Sequence, residues 1–234
     1  MIVVLTSKRP EGAPFYLGET LRQIDECAAG KRVVLTDGPL PDGFEPPDGW
    51  GVVRSDRPTR KPQNKWVAWS AFDVAAEAGE DLCFFEDDLE FSVGAPAFIE
   101  RFEVPGDVDV ITFFSPWMTK EMPNGLWRIN FHAYIMAQAM KFPLRTVREL
   151  RRAREEPIWK EGIPLGGFDE ILHLIGIRRN WKLGILNPGI VQHVGDVSVV
   201  GNGELKGIRV ARNYAGRESD ARNLEPMKRY GFFS

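Results

Sequence analysis

The sequence predicts an α/β protein with a mostly parallel central sheet flanked by helices. Short apolar runs rich in β-branched residues alternate along the first half of the chain with longer helical patterns. That alternation is typical of strands joined by crossover helices. With 234 residues, 43% of them hydrophobic, the chain is long enough for one large core and too short to suggest two. We therefore expect a single domain over residues 1–234.

The expected elements follow in order along the chain. A β-rich run at 2–5 opens the sheet, a helical pattern follows near 15–29, and two further β-rich runs lie at 32–36 and 50–54. Between those two runs, the stretch 39–48 is rich in proline and glycine and predicts a loop. Beyond them we expect helices at 64–78, 144–155 and 167–178, and strands at 82–85, 108–114, 127–138 and 182–186. After Gly201 the regular signals fade.

Apolar runs and cysteine spacing indicate the compartment in which the protein is expected to work. No run of about 18 apolar residues and no charged-then-apolar leader is found, so we expect a soluble, cytoplasmic protein. Cys27 and Cys83 lie far apart and lack the spacing of metal ligands, which favours two buried thiols and a reducing compartment.

The charge is unevenly distributed. Residues 1–140 carry 22 acidic and 13 basic side chains, whereas residues 141–234 carry 11 acidic and 17 basic ones. A basic C-terminal part can attract a polyanion or a phosphorylated ligand, although a solvated helix face and an ordinary tail give the same pattern. The cations in question are Arg145, Arg148, Arg151, Arg152, Arg154, Lys206, Arg209, Arg212, Arg217, Arg222, Lys228 and Arg229.

Three consecutive carboxylates follow the apolar run at 82–85. A strand that ends in Glu86, Asp87 and Asp88 presents them at the carboxyl edge of the sheet, where α/β proteins bind ligands. Hard oxygen ligands of this kind suit Mg²⁺ or Mn²⁺ bridging to phosphates. The alternative is a solvated acidic turn, because charge clusters are commonly exposed.

The order of features resembles a GT-A glycosyltransferase, the nucleotide-sugar-dependent class with a Rossmann-like sheet and an acidic metal motif after its fourth strand. The resemblance covers most of residues 1–200 and implies three parts: a nucleotide-sugar-binding part at 1–115, an acceptor and catalytic part at 116–200, and a basic tail at 201–234. The segments that carry it are Thr6-Ser7-Lys8-Arg9 after the first strand, Arg60-Lys61-Pro62-Gln63-Asn64 before a helix, Glu86-Asp87-Asp88, Gly166-Gly167-Phe168-Asp169-Glu170, and Pro188 to Gly195 with His193.

The resemblance implies a Mn²⁺ or Mg²⁺ cofactor and assigns roles around it. Asp88 and His193 are the expected metal ligands, Glu86 is expected to accept a hydrogen bond from a ribose hydroxyl, and Asp87 to touch the donor sugar or a metal-bound water. A lone histidine is more often structural, so the His193 assignment rests on its Gln-His-Val-Gly context.

Further nucleotide-sugar-binding residues are expected around this motif. Thr6 and Arg9 follow the first strand, and Arg60 and Asn64 precede a helix whose first amides favour anions. Asp37 follows the second strand, where this family meets the base or ribose, although Asp-Gly is also an ordinary turn signal. Trp117, in a loop after an apolar strand, is a candidate for stacking on a sugar ring.

Transfer with inversion requires a carboxylate that takes the proton of the acceptor hydroxyl. Asp169 and Glu170 are the candidates, because Gly166-Gly167 lets a ligand approach the backbone and the segment resembles the Gly-Gly-Glu-Asp type of inverting members. Phe168 stands where an acid is common, which leaves open which of the two is the base. Asp169 could instead cap the helix, and a retaining enzyme remains an alternative.

The resemblance implies transfer of a hexosyl or N-acetylhexosaminyl group from a UDP-linked sugar to an acceptor hydroxyl on a saccharide. The basic C-terminal part allows a second acceptor, a hydroxymethylated pyrimidine of viral DNA, for which binding would weaken steeply with salt. Two other classes stay open. A nucleotidyltransferase is disfavoured because the loop after the first strand has a single glycine, and a polyanion-binding module without catalysis would keep only the fold.

Overall fold

The computed structural model describes residues 1–7, 14–54, 64–131, 137–157, 167–195, 210–223 and 229–230. Its main sheet has nine strands in the order β11-β7-β9-β6-β8-β4-β1-β2-β3, and a separate two-stranded sheet pairs β10 with β5. The strands are β1 Ile2–Thr6, β2 Arg32–Thr36, β3 Trp50–Arg54, β4 Leu82–Glu86, β5 Leu89–Phe91, β6 Val110–Thr112, β7 Gly125–Asn130, β8 Ala139–Phe142, β9 Lys182–Asn187, β10 Val191–His193 and β11 Arg229–Tyr230.

Helices cover both faces of the main sheet. They are α1 Leu17–Asp25, α2 Asn64–Ala78, α3 Ala95–Arg101, α4 Leu144–Ala153 and α5 Phe168–Arg178, followed by a short 3-10 helix at Ala221–Asn223. None of the described helices combines the length and apolar character of a membrane span. The α/β class with a mostly parallel, Rossmann-like sheet is confirmed.

Five of the eight pairings in the main sheet are parallel, and the sheet is mixed in its second half. β1 to β4 all run in one direction. β8 is antiparallel to both β4 and β6, so β6 and its parallel neighbour β9 run in the direction of β4. The carboxyl ends of these six strands therefore share one edge of the sheet, and the loops that follow them meet there.

Two hydrophobic cores lie on opposite faces of the sheet. Alternation along β4 sends Phe84 into the core beneath α2, α4 and α5, and Phe85 into the core beneath α1 and α3. Glu86 follows Phe84 by two residues and therefore belongs to the first of these faces.

Most predicted elements of the first half are confirmed, and the second half requires a correction. The strand expected at 127–138 is wrong: β7 ends at Asn130, residues 132–136 lie outside the described part, and a separate strand β8 begins at Ala139. The short elements β5, α3 and β10 were also not predicted. Strands of three or four residues and a helix of seven are too short for a periodic pattern to register, and long-range contacts fix them instead.

Both cysteines are free thiols, as expected, although Cys27 is only half-buried. Burial raises the pKa of the Cys83 thiol to about 11, so it is unreactive at neutral pH.

A buried lysine closes the end of α3. Lys141 is 3% exposed, and its Nζ donates to the carbonyl oxygens of Ile99, at 3.2 Å, and Glu100, at 2.6 Å. A cation at this end of a helix satisfies carbonyls that have no intrahelical partner and complements the helix dipole.

Replacing Lys141 by methionine is expected to lower the free energy of unfolding by about 1.5–3 kcal/mol, because two buried carbonyls lose a charged donor while the apolar stem is kept. Urea denaturation followed by circular dichroism measures the change. Lys120→Met, at an exposed position, is the matched control and should change stability little. Equal stability of the two variants would contradict this role for Lys141.

Candidate metal centre

The acidic turn lies at the centre of the carboxyl edge. Glu86 ends β4 opposite Leu5 of β1, and its amide N donates to the carbonyl O of Gln138, next to β8. Asp87 and Asp88 then form the turn into β5 and are both buried. The interpretation of this triplet as a solvated turn is therefore wrong for its second and third residues.

The two-stranded sheet brings His193 to this turn. β10 pairs antiparallel with β5 so that His193 lies opposite Leu89, and the amide N of Val194 donates to the carbonyl O of Asp88 at 2.9 Å. His193 Nε2 lies 3.3 Å from Asp88 Oδ2. One ligand atom each from Glu86, Asp88 and His193 lies within 4.8 Å of the other two.

This donor set fits a small divalent cation. Ligand atoms bound about 2.1 Å from one ion lie roughly 3–4 Å from one another, which agrees with the separation of His193 and Asp88 and is compatible with the 4.8 Å limit that all three ligand atoms meet. The two carboxylates suit Mn²⁺ or Mg²⁺, whereas an imidazole is a ligand typical of transition metals. Glu86 joins this cluster, whereas the sequence predicted a ribose contact for it.

Gly195 allows the close packing of this centre. A Cβ built on Gly195 would lie 2.1 Å from Asp88 Oδ2 and 2.8 Å from its Cγ, so any side chain at this position would displace the Asp88 carboxylate. Gly195, two residues after His193, thus lets the chain pass directly against the acidic turn.

Asp87 is held by two threonines. Thr6 Oγ1, at the end of β1, donates to Asp87 Oδ2 at 2.5 Å, and Thr20 Oγ1, on α1, donates to the carbonyl O of Asp87 at 2.7 Å. The same Thr20 hydroxyl lies 3.2 Å from the carbonyl O of Leu89. Thr6, predicted as a donor-binding residue, therefore contacts the acidic turn, and Thr20 was not predicted because its partners are distant in sequence.

Replacing Thr20 by valine is expected to destabilise the protein by about 1–3 kcal/mol, because a near-isosteric methyl leaves the buried Asp87 carbonyl without the hydroxyl donor. Thermal unfolding measures the change, and Mn²⁺ affinity should fall together with stability if the turn loosens. Unchanged melting together with unchanged Mn²⁺ affinity would contradict this supporting role.

The start of α5 faces the same side of the sheet as Glu86. The Phe168 ring stacks on Phe84 with 5.2 Å between ring centroids, and Phe84 precedes Glu86 on that face. Glu170 Oε2 accepts a hydrogen bond from the amide N of Gly167 at 2.7 Å and so caps the helix. Gly167 occupies the N-cap position, so the expectation that Asp169 could serve there is wrong.

The remaining residues predicted to bind the nucleotide sugar differ in location and exposure. Asp37 follows β2 at the shared edge and is half-buried, and Trp117 lies after β6 with 52% of its surface exposed, as a stacking residue requires. Arg9 and Arg60 lie outside the described residues, and the structure describes only the backbone of Asn64, the first residue of α2. For all of them, contact with a donor stays a prediction.

Gln138 also lies beside the acidic turn, and sequence reasoning missed it because the strand that begins after it was not predicted.

No model of a known protein family matches the chain, and no curated protein matches it significantly. The site must therefore be interpreted from its own geometry.

Proposed function

We propose that the protein is a metal-dependent glycosyltransferase that moves a sugar from a nucleoside diphosphate sugar, UDP-linked, to an acceptor hydroxyl. The observation that carries this proposal is the convergence of Glu86, Asp88 and His193 at the carboxyl end of a central strand. The resemblance of the motif order to GT-A glycosyltransferases supplies the reaction class.

The chemistry follows from the leaving group. The bond between the anomeric carbon and the diphosphate oxygen breaks with its electron pair on the diphosphate, while the acceptor oxygen forms a bond to that carbon. A divalent cation at this centre would neutralise the negative charge of the departing diphosphate. Asp88, His193 and Glu86 would hold the ion, and the Thr6 hydrogen bond keeps the Asp87 carboxylate in one orientation beside them.

Asp169 is the proposed base that takes the acceptor proton in an inverting transfer. Its neighbour Glu170, the alternative base, accepts the hydrogen bond from the amide N of Gly167 that caps α5. The Phe168–Phe84 contact brings the start of α5 to the face of the sheet to which Glu86 belongs.

A saccharide is the proposed acceptor, because several cations of the basic C-terminal part are paired with acidic residues of the first part of the chain. Arg151 and Arg154 bind Asp73 of α2, and Arg217 binds Glu19 of α1. These three arginines therefore offer less positive charge to the phosphates of DNA than the composition of residues 141–234 alone suggested.

Mass spectrometry of nucleotide sugars incubated with the protein, Mn²⁺ and a panel of saccharide acceptors tests the proposal. We expect Mn²⁺-dependent release of the nucleoside diphosphate and an acceptor heavier by one sugar. Pyrophosphate release from a nucleoside triphosphate and a sugar phosphate would point to a nucleotidyltransferase instead. Folded protein that turns over none of the donors would favour a binding module without catalysis. Retardation of duplex DNA in a gel shift, with glycosylation of its modified bases, would favour the DNA acceptor.

A further inference from the structure

Gln138 is a buried amide at the edge of the proposed donor site. It lies immediately before β8 and is 5% exposed. Its backbone is fixed, since its carbonyl O accepts a hydrogen bond from the amide N of Glu86 at 2.9 Å. The residue is therefore held in place next to the metal centre.

The register of β4 and β8 determines where its side chain lies. Phe85 pairs with Ala139 and Phe84 with Met140, and the bond from Glu86 to Gln138 continues this pairing by one residue. Residues directly opposite in an antiparallel ladder have side chains on the same face, with Cβ atoms about 4.5–5.5 Å apart. Gln138 and Glu86 are therefore lateral neighbours on the face that carries Phe84 and Met140.

The Gln138 amide oxygen has no hydrogen-bond partner among the residues that the structure describes, and it is fully buried. A buried polar atom without a partner destabilises a folded protein, and most such atoms in proteins are satisfied. A ligand that supplies the missing donor would account for an amide oxygen left unsatisfied beside the candidate metal centre.

We propose that Gln138 Oε1 and one oxygen of the Glu86 carboxylate, whose other oxygen would bind the ion, together accept hydrogen bonds from a vicinal diol of the donor, an inference that rests on the function proposed above. Two acceptors held side by side on one sheet face match a ligand with two adjacent hydroxyl donors. A pair of this kind also discriminates strongly, because a ligand lacking one hydroxyl leaves a buried acceptor unpaired. The diol belongs either to the ribose of the nucleotide or to the transferred hexose.

Binding of matched ligands to wild type and to Gln138→Met tests this assignment. Methionine keeps an unbranched side chain of similar length and removes both amide atoms. Calorimetry with Mn²⁺ present compares UDP, 2′-deoxy-UDP, 3′-deoxy-UDP and UDP-glucose on each protein. Mn²⁺ titrated alone, and thermal melting without ligand, report whether the centre and the fold are intact.

The expected result is a loss of ligand affinity that depends on which hydroxyl of the ligand is missing. If the ribose supplies the diol, removing one ribose hydroxyl weakens binding to wild type about tenfold and has little effect on Gln138→Met. If the hexose supplies it, both proteins bind UDP equally and only wild type gains affinity from the glucose. In either case Mn²⁺ affinity stays the same, and the ligand-free variant melts about 2–4 °C higher than wild type because the unsatisfied amide is gone.

Two results would overturn the inference in distinguishable ways. Identical affinities of wild type and Gln138→Met for all four ligands would remove Gln138 from the donor site and leave the proposed function standing. Absence of nucleotide binding by folded, Mn²⁺-loaded wild type would remove the proposed function and the diol contact together.

Discussion

Asp88→Asn is expected to abolish Mn²⁺ binding and reduce Mn²⁺-dependent sugar release by at least about 100-fold. Asparagine keeps the size of the side chain and removes the negative charge that lies 3.3 Å from His193 Nε2. Loss of an anionic ligand weakens a site that must hold a divalent ion against water, and the charge of the departing diphosphate then goes uncompensated. Calorimetric titration with Mn²⁺ and mass spectrometry of donor turnover measure the two effects.

The matched control for Asp88 is Glu103→Gln, which removes one carboxylate charge at an exposed position after α3. This control should bind Mn²⁺ and turn over donor as wild type does. If both variants retained wild-type Mn²⁺ affinity, the cation site would have to lie elsewhere in the protein. Equal losses in both would point to a general effect of net charge.

Gly195→Ala is expected to lower Mn²⁺ affinity by at least tenfold while the protein remains folded. The added methyl would lie 2.1 Å from Asp88 Oδ2, a separation that no real Cβ tolerates, so the Asp88 carboxylate must leave its position beside Gly195. A displacement of about an ångström is enough to spoil the geometry of a metal centre. The substitution thus tests the arrangement of the site without touching a ligand.

Gly106→Ala is the control for this second substitution, because a Cβ at Gly106 meets no atom within 4 Å. Mn²⁺ titration and thermal melting of the two variants separate a local effect from a global one. A Gly195→Ala protein with undiminished Mn²⁺ affinity would mean that the backbone after His193 does not pack against Asp88 in solution.

Much of the fold could be predicted because local patterns agree with it. The strands at 32–36 and 50–54 and the helix at 64–78 coincide with β2, β3 and α2, since each carries its own period of apolar residues. The acidic turn was found for the same reason, as a buried strand that ends in three carboxylates. The pairing of His193 with Asp88 followed only from the family resemblance.

The features that could not be predicted depend on contacts between distant parts of the chain. β8 contains a lysine among apolar residues, and only the structure explains it: Lys141 is buried because it caps α3. Gln138, which precedes β8, was missed with it. The arginines of α4 suggested a free basic face, but their ion pairs with Asp73 depend on how α2 and α4 pack. Single-sequence patterns carry no information on such partners.

The proposed function requires that a divalent cation bind Glu86, Asp88 and His193 and support binding of a nucleotide sugar. Wild type is titrated with Mn²⁺, with and without UDP, and the loss of the electron paramagnetic resonance signal of the free ion measures binding. We predict a single bound ion, tighter with UDP, and no such binding in Asp88→Asn. A full free-ion signal from folded wild type, with or without UDP, would contradict the account.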